Sequence, residues 1–89
     1  MKAVITVTGK DNVGIIAKVS AVCAQYQANI LEISQSVLQD YFAMIMLCDI
    51  SDLSVSFFDF SDSLTKLGKE CCLDIHAMHE DIFNSMHKI

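Results

Sequence analysis

Four cysteines are the first residues to consider, because their thiols could form disulfides or bind a metal ion. Their spacing favours neither use, since no two of them form a C-x-x-C pair and Cys71 and Cys72 are adjacent. Cys23 falls in a helical pattern and Cys48 in a strand pattern. We therefore expect four reduced thiols that pack mostly as small apolar side chains, as in a cytosolic protein.

The three histidines are a second possible source of metal ligands. His76 and His79 lie three residues apart in a segment whose alternation predicts a strand, so their rings should point to opposite faces of a sheet. His87 stands apart from both. A zinc or nickel site shared across a subunit interface, using His76, His79 or Cys71, stays open as an alternative to histidines that bind nothing.

No set of catalytic residues is indicated by order or spacing, whether Ser-His-Asp or Cys-His. Phosphate hydrolysis needs a cation, normally arginine, in the loop after the first strand, and this chain has no arginine. Lys10 could stand there, but it lacks the planar guanidinium fork. We therefore expect a protein that is not an enzyme and that holds no cofactor.

Charge and hydropathy exclude two further classes. The net charge of −5 opposes nucleic-acid binding, which usually needs a basic patch. No segment approaches the roughly 20 apolar residues of a membrane-spanning helix. The N-terminus shows no signal peptide, so we expect a cytoplasmic protein. Yet 53% of the 89 residues are hydrophobic, which suggests that some apolar surface faces another protein chain.

The elements that would position these residues follow from the spacing of the apolar side chains. The first half of the chain predicts a strand, a loop, an amphipathic helix and two further strands, over residues 2–8, 9–14, 15–27, 29–39 and 41–49. Asp11 or Asn12 is expected to cap the first helix, and Asp40 marks a tight turn between the two later strands.

The second half predicts a helix, a strand and a short terminal helix. Ser51 and Asp52 are typical of a helix start, and Gly68 is expected to cap the same helix at its C-terminal end. Residues 73–77 alternate as an edge strand does. Residues 80–89 place four apolar side chains on one helical face: Ile82, Phe83, Met86 and Ile89.

The resulting order is βαββαβ, the ferredoxin-like pattern. It predicts an α+β sandwich in a single domain over residues 1–89: a four-stranded antiparallel sheet with two helices on one face, plus the short C-terminal helix. The first and third strands should be central. The third strand is apolar on both faces and the second is long for an unprotected edge. We therefore expect self-association into a homodimer or a higher homo-oligomer.

The segment 7–19, VTGKDNVGIIAKV, resembles the signature of ACT domains, in which an acidic or amide residue, two variable residues and a glycine precede an apolar helix start. Asn29-Ile30 is similar to the family's entry into the second strand, and Gln35 and the run 41–44 are similar to small stand-alone members. That subclass is similar to the ACT domain of the glycine cleavage system transcriptional repressor. The chain departs from many members at Val13, where they carry proline.

The resemblance implies a regulatory domain that binds a small amino acid at a homodimer interface. One chain would supply a loop and helix start, and its twin the start of the second strand: Asp11, Asn12, Val13, Gly14 and Ile15 with Asn29 and Ile30. The free N–H groups of the helix start suit a ligand carboxylate. Asp11 would pair with the ligand ammonium, and Asn29 offers a donor and an acceptor.

A simpler interpretation assigns the same residues to the fold alone. Asp11 and Asn12 would cap the helix, Gly14 would serve close packing, and Asn29 would belong to a turn. The protein would then be an oligomerisation or adaptor module without a metabolite ligand. In either case its output must be another regulatory protein or an enzyme.

Overall fold

The computed structural model describes residues 1–10 and 13–86 of the chain. Four strands and three helices follow one another in the predicted βαββαβ order with the terminal helix: β1 (Lys2–Lys10), α1 (Ile15–Gln25), β2 (Asn29–Leu38), β3 (Tyr41–Asp49), α2 (Phe57–Cys71), β4 (Leu73–His79) and α3 (Glu80–Met86). Of the terminal helix predicted over 80–89, residues 87–89 lie outside the described part of the chain.

The strands form one antiparallel sheet in the order β2-β3-β1-β4, so the prediction of central first and third strands is confirmed. The core lies between one face of this sheet and helices α1 and α2. Alternate residues of β1 and β3 point into it, where they meet Val19 and Cys23 of α1 and Phe60 and Leu64 of α2. The ferredoxin-like α+β fold is therefore confirmed.

Strand β3 is covered on one face only in this chain. Its alternate residues from Phe42 to Cys48 are buried beneath the helices, whereas Tyr41, Ala43 and Ile45 on the opposite face are exposed. Both faces of β3 are apolar, but the helices of one chain cover only one of them.

Helix α1 begins at Ile15, as predicted, but its cap is a different residue. Its N-cap is Gly14, with φ at 84°, and not Asp11 or Asn12, which lie outside the described residues. A left-handed φ is a conformation that glycine adopts without steric cost. The helix also ends at Gln25 and not Gln27, because Gln27 itself adopts a positive φ of 62° and leads the chain into β2.

The prediction that α2 begins at Ser51 and Asp52 is wrong. The N-cap is Ser56, whose Oγ accepts a hydrogen bond from the Asp59 N–H at 3.1 Å. Ser51 instead closes the turn after β3, where its N–H donates to Oδ1 of Asp49 at 2.9 Å. Hydrogen bonds from Ser51 lower the pKa of Asp49 below its usual range. Residues favoured at helix caps are equally favoured in such turns.

Gly68 is also not the C-terminal cap of α2. The helix continues to Cys71, and the cap is Cys72 in the left-handed conformation, whose N–H donates to the Gly68 carbonyl oxygen. Gly68 is buried where α2 crosses β4, and a Cβ there would lie 2.7 Å from the Leu73 carbonyl oxygen. The glycine therefore permits close helix–strand packing and does not end the helix.

Gly68→Ala is expected to destabilise the domain by about 1–3 kcal/mol, the usual cost of overpacking. Alanine is the better helix former by about 1 kcal/mol, so a purely local effect would have the opposite sign. The measurement is urea unfolding at a fixed protein concentration. Lys69→Ala, at the next and exposed position, is the control and should change stability little. A more stable Gly68→Ala protein would contradict the close packing.

Candidate functional site

The start of α1 is the part of the predicted ligand loop that the structure describes. Val13 is 94% exposed, Gly14 is half-buried as the N-cap, and Ile15 is buried in the core. The Lys18 N–H donates to the Gly14 carbonyl oxygen at 3.0 Å and closes the first helical turn. The N–H groups of that turn have no intrahelical acceptor, so they present partial positive charge to whatever lies before the helix.

A groove of about 260 Å³ lies between this helix start and strand β2. Its walls are the first turn of α1, two alternate residues of β2 and the buried ring at the start of β3: Gly14, Ile15, Ile16, Ala17, Gln35, Val37 and Phe42. Drug-sized ligands occupy pockets of about 300–1,000 Å³, so this groove suits a smaller molecule. Two of the predicted site residues, Gly14 and Ile15, therefore line a concave surface.

Among the residues that line the groove, Gln35 carries the polar side chain, and the sequence analysis did not place it in the site. It lies opposite Met44 on the helix-covered face of the sheet, between Ile33 and Val37. An amide between two apolar residues of one strand face was the signal available in the sequence. Its side chain can both donate and accept hydrogen bonds at the mouth of the groove.

Asn29 and Ile30 do not lie near this groove within the chain. Asn29 pairs with Asp49 at one end of the sheet, whereas Val37 pairs with Phe42 at the other end. The two positions are eight residues apart along β2, which corresponds to roughly 26 Å. Asn29 is exposed and Ile30 packs against the core. One chain alone thus holds the two halves of the predicted site at opposite ends of β2.

Strand β2 is an edge of the sheet, and every residue from Leu31 to Leu38 is exposed. Four of these side chains are large and apolar: Leu31, Ile33, Val37 and Leu38. Ile16 of α1 is also exposed and lines the groove beside Val37. A long edge strand of this kind presents unpaired N–H and C=O groups that can pair with another strand.

His76 and His79 lie apart from the groove, and His87 lies outside the described residues. His76 is on the uncovered face of β4, where its Nε2 lies 2.8 Å from Oδ1 of Asp74. The His79 ring stacks on Phe57 with centroids 4.2 Å apart, so the two rings point to opposite faces as the strand assignment predicted. Within residues 1–10 and 13–86, no three His, Cys, Asp or Glu side chains are arranged to hold a metal ion. The described helices include none long and apolar enough to cross a membrane.

Two of the cysteines belong to the core. Cys23 of α1 and Cys48 of β3 are both fully buried, which confirms that they pack as small apolar residues. A hydrogen bond with Cys48 and burial together raise the pKa of the Cys23 thiol. Cys71 and Cys72 lie at the surface end of α2 instead.

The chain was compared with known proteins. The family model of the ACT domain matches residues 2–78. A UPF0237 protein of Listeria innocua is 47% identical over 89 residues, which is all of both chains. The solved ACT domain protein from Streptococcus pneumoniae superposes with a TM-score of 0.80 at 38% identity and covers 93% of each chain.

A candidate glycine cleavage system transcriptional repressor of known structure gives a TM-score of 0.70 at 24% identity. This comparison covers 86% of the present chain and 44% of that protein, and it concerns the fold. The resemblance drawn from segment 7–19 is confirmed. Because the family model spans most of the chain and a full-length relative shares nearly half of its residues, the chain belongs to the ACT domain family.

Proposed function

We propose that this protein is a cytoplasmic, non-catalytic regulator that binds a small free amino acid at a homodimer interface. The observation that carries the proposal is the groove at the start of α1, which opens beside the unpaired edge of β2. The four free cysteines fit a reducing compartment. The output would pass to another regulatory protein or an enzyme.

The geometry of β2 supports a dimer in which two copies of this strand pair with each other. A two-fold axis makes such a pair antiparallel, so the residue numbers of opposed positions have a constant sum. With the axis at Ile33, which then faces its own copy, Asn29 of one chain lies near Val37 of the other. That arrangement brings Asn29 and Ile30 of one chain to the groove beside Gln35 of its twin.

The groove chemistry fits an α-amino acid. The ligand carboxylate would accept hydrogen bonds from the N–H groups at the start of α1, which lie at the positive end of the helix dipole. The amide of Gln35 and that of Asn29 from the other chain would offer oxygen acceptors to the ligand ammonium. Asp11, which belongs to the same loop, is a further acceptor in this proposal, and Asn12 and Val13 complete the loop around it.

Thermal unfolding with a panel of free amino acids tests this function. Ligand at 100 times its dissociation constant should stabilise the protein by about 2.7 kcal/mol. For a domain of this size each kcal/mol corresponds to about 4–8 °C in Tm, so the shift is large. We expect one small amino acid, or a few related ones, to raise Tm while the rest do not.

Two variants test where the ligand binds. Gln35→Ala and Asn29→Ala should each lose most of the ligand-induced shift, because they remove groove polar groups from different chains of the dimer. Ser36→Ala is the matched control, since Ser36 is the next residue of β2 and points to the opposite face. A shift that survives in Gln35→Ala and Asn29→Ala would place the ligand elsewhere.

A second candidate function is that of an adaptor without a metabolite ligand. The observation that favours it is the uncovered face of β3, where Tyr41 and Ile45 are exposed beside Leu38 of β2. Apolar surface of this kind commonly marks protein interaction sites. The absence of any Tm shift across the amino acid panel would favour this function over ligand binding.

A further inference from the structure

The face of the sheet that points away from α1 and α2, which we call the far face, is covered only in part. Ala3 and Ile5 of β1 point into the core, so Val4 between them points to the far face. Val4 is nevertheless only 5% exposed, whereas Tyr41 and Ile45 on the same face are 59% and 48% exposed. One part of the far face is therefore covered within the chain, and the part along β3 is open.

Helix α3 is the element that covers Val4. Among the described residues, α3 packs against β1 and β4 and against neither α1 nor α2, so it lies over the far face. Its Phe83 is half-buried, whereas Ile82 and Met86 are exposed. The helix thus forms a ridge on the far face, and the outer side of this ridge carries exposed apolar side chains.

A depression of about 340 Å³ lies at the opposite end of the same sheet. Its walls include three apolar side chains and two that carry hydroxyl groups: Leu38, Tyr41, Ala43, Thr8 and Ser36. Tyr41 pairs with Lys10 at one end of β1, whereas α3 follows His79, which pairs with Ala3 at the other end. Lys10 and Ala3 are seven residues apart along β1, so roughly 23 Å separates the depression from the start of the ridge.

We propose that two copies of this chain pack far face to far face, with α3 of each copy in the depression of the other. A contact between copies about a two-fold axis requires a surface that is complementary to itself. The far face meets this requirement, because an axis that passes near Ile45, in the middle of β3, exchanges its two ends and brings each ridge to the other copy's depression. Ile82 and Met86 of one chain then cover Tyr41 and Ile45 of the other.

The charges at the two ends of the far face are complementary in this arrangement. Helix α3 begins with Glu80 and Asp81, at the end of the sheet opposite Lys10. Within one chain the separation far exceeds the Debye length of about 8 Å at physiological ionic strength, so these groups attract one another little. The face-to-face contact brings the acidic turn of each copy to Lys10 of the other. The charge pattern thus favours a second copy as the occupant of this surface.

The far face is also large enough for a specific contact. The central strands β1 and β3 have nine residues each, so a sheet of four strands spans about 19 by 30 Å. With the relief of α3 added, this surface is of the order of the roughly 800 Å² that each partner buries in a standard interface. Because Ser34 pairs with Ile45, the axis can also meet the β2 axis beside Ile33, which closes two β2 dimers into one tetramer.

Sedimentation equilibrium of the full chain at increasing protein concentration tests the contact. We expect wild type to pass from dimers to tetramers, since the far-face contact adds no backbone hydrogen bonds and should be weaker than β2 pairing. Ile45→Glu and Ile82→Glu should both stop at the β2 dimer, because each buries a charge in the far-face contact. Phe58→Glu is the matched control, since Phe58 is 75% exposed on α2, and it should still form tetramers. If β2 does not pair, the same contact appears as a monomer–dimer equilibrium that Ile45→Glu abolishes.

An exchange of charges tests which ends of the two faces meet. Lys10→Glu should weaken the far-face association about tenfold, because it places like charges together at both copies of the contact. Adding Glu80→Lys should restore the association, and only a contact between copies can do so, since the two residues lie at opposite ends of one chain. Adding Glu70→Lys instead, on the exposed side of α2, restores the net charge alone and is the control.

Three results would overturn the proposal. The first is a wild-type protein that shows no association through the far face up to about 1 mM. The second is equal association of Ile45→Glu and Phe58→Glu. The third is a Lys10→Glu, Glu80→Lys protein that associates no better than the Glu70→Lys control.

Discussion

Ile33→Glu is expected to raise the dissociation constant of the proposed dimer about a hundredfold. Ile33 is 41% exposed in the single chain and lies near the centre of β2. In the dimer proposed above it approaches the two-fold axis, so each glutamate would face its own copy. A buried polar group without a partner costs about 1–3 kcal/mol, and two copies at about 1.4 kcal/mol each give two powers of ten.

Sedimentation equilibrium over a range of protein concentrations measures this change directly. Ile82→Glu is the matched control, because Ile82 is 52% exposed on α3, which packs against β1 and β4 at the other edge of the sheet. Circular dichroism should show the same fold for both variants, since both side chains are exposed in the chain. Equal dimer dissociation constants for the two variants would show that β2 is not part of the dimer interface.

Phe60→Ala is expected to lower the free energy of unfolding by about 3–5 kcal/mol. The Phe60 ring is 0% exposed and lies among the aromatic residues that join the two helices. Its centroid is 6.3 Å from that of Tyr26 in an edge-to-face arrangement and 6.5 Å from that of Phe57. Truncation would remove these contacts and leave a cavity in a core that has few other aromatic rings.

Urea unfolding of the variant and wild type at equal protein concentration measures the loss, because the stability of a dimer depends on concentration. Phe58→Ala is the matched control. Phe58 is on the same helix but is 75% exposed, and surface changes of this kind usually alter stability by no more than about 0.5 kcal/mol. A loss below about 1 kcal/mol for Phe60→Ala would contradict its central place in the core.

The strands were more predictable than the helix ends. The bounds of β3, Tyr41–Asp49, follow from the sequence because a turn precedes the strand and alternation continues to its last residue. The start of α2 could not be predicted from Ser51 and Asp52, because the Asp49 carboxylate and the Met1 ammonium both bond to Ser51 and hold it in a turn. Met1 and Asp49 come close to Ser51 only in the folded chain, so local sequence does not reveal these hydrogen bonds.

The candidate site was predictable only in its first half. The glycine before an apolar helix start identified Gly14 and Ile15, which the structure places at the groove. Gln35 was missed as a site residue because its place there depends on how α1 crosses β2, a tertiary contact that local periodicity does not contain. In the proposed dimer the position of Asn29 relative to the groove depends on a second chain, which no pattern within one chain describes.

The separation of Gln35 and Asn29 along β2 has a consequence for genetics. In the proposed dimer each groove draws on both chains, so a chain altered at Gln35 and a chain altered at Asn29 would each be inactive alone. A mixed dimer of the two would collect both defects in one groove and leave the other intact. The two alleles would therefore complement each other, whereas two alleles altered in the same half would not.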